Sequence, residues 1–354
     1  MKRNYTIPIF IPEKACPFRC VYCNQYTIAN KTESPSNKEI KETIEKYLKT
    51  FPAHGVKRVG FFGGSFTGMC IEEQNQYLDI VLPYIKSGQI QSIMLSTRPD
   101  YITEEILDNL IRYNVETIEL GVQSLDDEVL IKSGRGHTVA DVEKSSALIL
   151  QKGFKLGLQM MIGLPEDSFD KTMKTAQGII DLGAHYTRIY PTIVIKNTLL
   201  EAMYKSGEYT PLSLEQAVVW CKHLMKLFDQ NNVTILRMGL HPSENLLSGK
   251  SLVAGPFHVS FKELVLSNVW KEILEEATNN KNGERIIIEI SSKSINAATG
   301  YKSANKKHLL MNFSSVLFKI NNELSDYEFN ITIDHDHYSR YDGQLFDGGG
   351  LFFV

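Results

Sequence analysis

The hydrophobic positions of the chain fall into short apolar runs separated by longer stretches with helical spacing. Residues 56–62, 90–96, 115–120, 154–162 and 185–190 are apolar on both faces, as strands buried in a parallel sheet are. Residues 7–11 form one more run, bounded by Pro8 and Pro12, which limits it to a first or edge strand. Between these runs lie amphipathic stretches at 36–50, 71–85, 103–113 and 169–182. Their starts are marked. Ser36 with Glu39, and Thr138 with Asp141, have the spacing of a capping box, and Thr103 is placed to cap its helix. After the fourth run a helical pair is interrupted by the glycines at 134 and 136.

Six strand–helix alternations predict a parallel sheet with right-handed crossovers. Periodicity does not choose between a barrel and an open sheet. The glycine-rich and polar turns do follow the strands, where α/β barrels build their active sites.

Beyond residue 196 the organisation changes. A short helix and turn at 197–209 lead to a long helix at 213–230, capped by Ser213 and Gln216. A strand at 233–238, a loop at 239–260 and a helix at 261–277 follow. Residues 278–283 are a polar break, read as a domain boundary. A strand at 284–291, a mostly helical stretch at 294–312 and a strand at 329–333 then make a small α+β domain. The expected division is a core at 1–196, an extension packed on it at 197–278, and the small domain at 279–354.

Composition narrows the setting. Of the 354 residues 43% are hydrophobic and 22% charged, as in an ordinary globular protein. No apolar run reaches the roughly 18 residues of a membrane helix. The N-terminus lacks the apolar region of a signal peptide, so the reading is a cytoplasmic protein with no membrane partner. Three of the five cysteines are clustered, which fits a reducing compartment better than a disulfide framework. The net charge of −3 does not announce a nucleic-acid partner.

The chemistry begins with Cys16, Cys20 and Cys23, in a CxxxCxxC spacing just after the first apolar run. Thiolates are the ligands of iron–sulfur clusters, and three of them leave one iron of a four-iron cluster open for chemistry. A zinc site ordinarily shows two ligand pairs, and no fourth Cys or His lies nearby in sequence. A disulfide with a spare thiol would suit a secreted chain.

With Tyr22 just before the third cysteine, the spacing resembles the radical S-adenosylmethionine (SAM) enzymes. The resemblance implies a partial (β/α)6 barrel, TIM-like and of the radical SAM type. It also implies a [4Fe–4S] cluster whose open iron is chelated by SAM, and a reducing electron donor of the flavodoxin or ferredoxin type. One electron would cleave SAM to methionine and a 5′-deoxyadenosyl radical. Tyr22 would pack near the adenine. Gly63, Gly64 and Ser65 stand where the family holds the SAM amino group, with Ser65 replacing the family's acidic residue. Glu119 and Gln123 would approach the ribose and carboxylate of SAM. Glu166 matches the fifth-strand motif near the adenine, and Tyr190 the corresponding place on the sixth strand.

Residues 119–124, 135–138, 163–165 and 188–192 together resemble the radical SAM part of the Elongator catalytic subunit. They are also similar to oxygen-independent coproporphyrinogen III oxidase-like proteins. No stretch is read as the acetyltransferase domain that accompanies the Elongator core, which weakens the carry-over of its complete reaction.

The catalytic candidates are His137, as a proton donor, and His258, in a glycine-rich loop, as a residue facing the substrate; a structural role competes for each. Cys70 and Cys221 read as small buried hydrophobes within helices rather than ligands. His335 and His337 read as part of a solvated acidic run. Between residues 281 and 307, six basic residues against two acidic ones give a local charge of +4. A glycine inside this stretch faintly resembles a KH-type RNA-binding module, without its GxxG sequence.

The reading is therefore a radical SAM enzyme acting on an RNA base, with tRNA as the partner. The same chemistry on a small molecule such as a porphyrin precursor is one alternative. A non-catalytic regulatory protein that binds an iron–sulfur cluster and SAM is the other.

Overall fold

The computed structural model describes residues 4–11, 20–24, 34–334 and 336–341, the last stretch by its backbone alone. Cys16, most of the expected cluster loop and His335 lie outside the described residues, as does the side chain of His337.

In chain order the first elements are β1 (Asn4–Ile11), α1 (Asn37–Thr50), β2 (Val56–Gly63), α2 (Ile71–Lys86), β3 (Ser92–Thr97), α3 (Glu104–Arg112) and β4 (Val115–Gln123). A helical pair follows, α4 (Asp127–Lys132) and α5 (Val139–Gln151), then β5 (Lys155–Ile162), α6 (Phe169–Asp181), β6 (Tyr186–Pro191), β7 (Val194–Ile195) and α7 (Leu199–Ser206). Next come α8 (Leu214–Gln230), β8 (Thr234–Met238), α9 (Glu244–Leu247), β9 (Leu252–Ala254) and α10 (Phe261–Ala277). The remainder is β10 (Gly283–Ile290), α11 (Ile295–Thr299), α12 (Ala304–Leu309), β11 (Phe313–Ile320), β12 (Glu328–Ile333) and β13 (Asp336–Tyr341).

The main sheet runs β1-β2-β3-β4-β5-β6-β8, every pair parallel. It is a partial barrel, with β1 at one edge, where Pro8 is tolerated. It has seven strands rather than six, because β8 leaves the expected extension to pair with β6. Helices alternate with the strands, and their starts follow the local chemistry. Ser36 and Thr138 each form both halves of their capping boxes, and the Thr103 hydroxyl accepts from the Ile106 N–H.

The chain divides into two compact units. One holds the described residues up to Leu212 together with Val233–Pro256; the other holds Ser213–Asn232 and the described residues from Phe257 on. The polar break at 278–283 is therefore internal to the second unit. Trp270 of α10 is buried and meets the Phe329 ring edge-on at 5.9 Å. The Asn305 side-chain amide donates to the Ser267 carbonyl at 2.9 Å. Lys222 and Lys226 of α8 both bind Glu272 of α10 at 2.7 Å.

The small sheet of the second unit runs β11-β10-β12-β13, with β10 parallel to β11 and antiparallel to β12. The expected helical stretch at 294–312 breaks at Gly300, Lys302 and Ser303, all with positive φ. No helix of the described residues is long and apolar enough to cross a membrane.

Candidate functional site

The site lies at the carboxyl ends of β1 to β5, where parallel sheets place their chemistry. A cavity of about 980 Å³, counted to its open mouth, is lined there by Cys20, Tyr22, Cys23, Gly63, Gly64 and Ser65. Its floor is built from Phe10, Ser96, Thr97, Arg98, Glu119, Gly121, Gln123, Gln159 and Met161, with Arg135 at its side. Residues separated by more than a hundred positions thus share one wall.

Backbone bonds hold the cysteine segment in place. The Val21 N–H donates to the Ser133 carbonyl at 3.0 Å, and the Leu200 N–H to the Val21 carbonyl at 2.8 Å. Val21 packs with Val194, Leu200 and Tyr209 in a buried cluster. A turn is closed by the Cys23 N–H donating to the Cys20 carbonyl at 3.0 Å, and both cysteines line the cavity. Arg135 donates from Nη1 to Cys20 Sγ at 3.6 Å and from Nη2 to the Gly121 carbonyl at 2.5 Å. Burial, and then the neighbouring Cys20, push the Tyr22 phenol well above its ordinary pKa.

The turn after β2 is a close backbone approach. Gly63 has φ +114°, and a Cβ there would strike the Ile11 carbonyl oxygen. The Gly64 N–H donates to that same oxygen at 2.7 Å. The following residues are anchored by the Thr67 and Thr97 hydroxyls, 2.7 Å apart. Glycine is required here because no side chain fits between the ends of β1 and β2.

On the floor, the Glu119 carboxylate accepts from Arg188 Nε and, at 3.2 Å, from the Ser96 hydroxyl. Gly157 on β5 makes room for it: a Cβ there would lie 2.8 Å from Glu119 Cγ. Gln123 has a positive φ of 71° at a register shift between β4 and β5, and its side-chain oxygen accepts from Gln159 at 3.2 Å. Burial works against the Arg188 charge, but Glu119 and Tyr190 outweigh it and hold its pKa above the ordinary value.

Of the candidate residues, Tyr22, Gly63, Gly64, Ser65, Glu119, Gln123, Cys20 and Cys23 come together on this cavity. Glu166 is exposed in the turn after β5 and Tyr190 sits beside Arg188; neither lines the cavity. His137 is buried, and its Nε2 lies 3.2 Å from the Val122 carbonyl. A carbonyl only accepts, so Nε2 carries the proton. Burial, then Arg135 and Arg98, push the His137 pKa down to about 3, so the ring is neutral and holds the end of β4. His258 belongs to the second unit. Its Nδ1 accepts from the Ser260 N–H at 3.0 Å, and its ring stands edge-on to Tyr301 at 5.1 Å.

Cys221 is buried, as expected, and burial pushes its thiol pKa up. Cys70 is exposed at the N-cap of α2 rather than buried within it. Among the described residues no set of three or more Cys, His, Asp or Glu side chains is gathered to hold a metal. Arg98, Ser96 and Gln159 were not singled out from the sequence. The available signal for Gln159 was a polar position among the otherwise apolar residues 156–162, two residues from Gly157 and from Met161.

A family model described as the Radical SAM superfamily matches residues 11–177, and one described as the Radical_SAM C-terminal domain matches 184–271. The chain belongs to the radical SAM superfamily. It is 32% identical over 217 residues to the uncharacterized protein MJ0486 of Methanocaldococcus jannaschii, covering 59% of this chain and 63% of that protein. It is 34% identical over 201 residues to the tRNA uridine(34) acetyltransferase of the same organism, covering 51% of this chain and 37% of that one. The chain thus spans less than two thirds of the length of either relative. The solved structure of Methanocaldococcus infernus Elp3, lacking its N-terminus, superposes with a TM-score of 0.62 at 22% identity, over 77% of this chain and 64% of that one.

Members of this superfamily use a [4Fe–4S] cluster and SAM. The residues present fit both. Two thiols and a buried phenol border the cavity, and Gly63, where a Cβ would strike the Ile11 carbonyl, makes the turn that brings Gly64 and Ser65 to it.

Proposed function

We propose that this chain cleaves SAM reductively at a cluster held by Cys16, Cys20 and Cys23, and that it modifies a base of tRNA. The observation that carries the first half is the sharing of one cavity by Cys20, Cys23 and the Gly63–Gly64 turn. When bound, the cluster would deliver an electron, drawn from a carrier of the flavodoxin or ferredoxin type, that breaks SAM to methionine and a 5′-deoxyadenosyl radical.

The chain's own residues have separable tasks. Carbonyls of the Gly63–Gly64 turn and the Ser65 hydroxyl accept from the SAM amino group. Gln123 and Glu119 bind its ribose and carboxylate end, with Glu119 fixed by Arg188. The carboxylate also finds a cation in Arg135, which reaches the cavity beside Cys20. Tyr22 packs against the adenine, and the neighbouring apolar cluster keeps water from that side. His137 moves no proton, because its ring is neutral and its Nε2 proton is committed to Val122.

The substrate half rests on relatives named tRNA uridine(34) acetyltransferase and Elongator complex protein 3. It is tested by incubating the reconstituted protein with SAM, a strong reductant and bulk tRNA. Formation of 5′-deoxyadenosine that rises with tRNA, with a mass change in a tRNA nucleoside, supports it. Stimulation by a porphyrin precursor and not by tRNA overturns it.

A further inference from the structure

Beyond the cavity, the same face of the sheet carries a charge that no carboxylate of the described residues pairs with. Arg188 on β6 and Arg237 on β8 are direct partners in the strand register, so their side chains leave the sheet on the same side. Like charges placed opposite each other in a sheet are destabilising. Arg188 is compensated by Glu119, and its guanidinium lies over the Phe62 ring at 5.2 Å. Arg237 has no such compensation among the described residues. Its Nε donates to the Gly239 carbonyl at 3.1 Å, and its Nη2 lies 3.2 Å from His241 Nδ1. Among the described residues no carboxylate pairs with it, although it is only half-exposed. Burial and Arg188 both push its pKa below the ordinary value, while Tyr190 opposes them. His241, also held below its usual pKa by burial and by Arg237, stands at the exposed end.

A half-buried guanidinium opposite a second one is costly unless an anion joins it. Among the described residues these two bonds are all that Arg237 makes of its five-donor fork, a geometry suited to phosphate. We propose that Arg237, with His241 beside it, binds a phosphate of the substrate at the end of β8. The site is three strands along the sheet from β4, whose Glu119 lines the cavity. This rests on the tRNA reading above and deepens it: the phosphate is one of the RNA backbone, held so that a neighbouring base can enter the cavity. Arg237 is in these terms a positioning residue, acting on where the base lies.

The test compares wild type with Arg237→Gln and Arg237→Lys, each checked for folding by thermal melting. Lys144→Gln, an exposed change on the outer helix α5, serves as the charge control. Bulk tRNA affinity is measured from low to moderate salt, and inorganic phosphate is titrated separately by thermal shift. Arg237→Gln is expected to weaken tRNA about tenfold and to lower the log–log salt slope by about one. Arg237→Lys is expected to keep the slope but lose affinity severalfold, since it lacks the planar fork. It carries the test should the glutamine variant not fold. Phosphate is expected to raise the melting temperature of wild type more than that of either variant.

Variants that match wild type with both probes overturn the proposal, as does an equal loss in Lys144→Gln. Phosphate stabilisation that depends on Arg237, in a protein that binds no tRNA, would keep the anion site and sink the RNA reading instead.

Discussion

Arg188 Nε donates to both carboxylate oxygens of Glu119, at 3.1 and 3.0 Å, across two strand positions of the main sheet. The glutamate is 4% exposed and the arginine 18%. Such a pair is poor evidence of net stability, but breaking it strands a charge. Glu119→Ala should cost about 3–5 kcal/mol, because it leaves Arg188 facing Arg237 with no anion. Thermal unfolding measures this. The double variant Glu119→Ala with Arg188→Met should recover much of the loss, and no recovery would refute the pairing argument.

Gly63→Ala should both destabilise the chain and damage SAM binding. Its φ of +114° and the close Ile11 carbonyl leave no place for a Cβ. A cost of about 1–3 kcal/mol is expected from the backbone alone. The affinity for SAM, read by equilibrium dialysis, should fall at least tenfold. Gly88→Ala serves as a comparison, since its positive φ is met with no nearby atom; it should leave SAM affinity as in wild type.

How much of this was legible beforehand follows from the range of the forces involved. The capping boxes at Ser36 and Thr138 are contacts over three residues, and they stand as the sequence implied. The Gly63–Gly64 turn and the cysteine segment were visible as residue types in order after a strand. The pairing of β8 with β6 was not visible, because register between strands 40 residues and more apart leaves no local mark. β11 escaped for another reason. Only Phe313 and Val316 of its eight residues are fully buried, so it lacks the alternation of a half-buried strand. The contact of Trp270 on α10 with Phe329 likewise spans the polar run at 278–283, and no local pattern announces it.

Acid should weaken the fold through His137. Its folded pKa of about 3 lies below the roughly 6.5 of an unfolded histidine. The unfolded chain therefore binds the extra proton, and the contribution is complete above pH 6.5. It is lost as pH falls towards 3, by up to about 1.4 kcal/mol per pH unit. His137→Gln should show a flatter acid limb in melts between pH 6.5 and 4. A limb as steep as that of wild type would contradict the assignment.

Asp229 has the opposite slope. It is buried at the C-terminal end of α8, its Oδ2 has no hydrogen-bond partner among the described residues, and burial raises its pKa to about 7. Ionisation is disfavoured in the folded chain, so stability falls as pH rises from the unfolded value near 4 through 7. Asp229→Asn should be more stable than wild type at pH 8, by about 2 kcal/mol, and the difference should shrink at pH 5. Melts at the two pH values decide it.

The central claim is that Cys20 and Cys23, with Cys16, hold a cluster at which SAM is broken. The most direct measurement is 5′-deoxyadenosine formed from SAM by the anaerobically reconstituted protein under a strong reductant. Wild type and Cys70→Ser are expected to form it, while Cys16→Ala, Cys20→Ala and Cys23→Ala are expected to lose both the product and the cluster absorbance. Product formed by the three alanine variants, or none from a wild type that carries its iron and sulfide, would contradict the account.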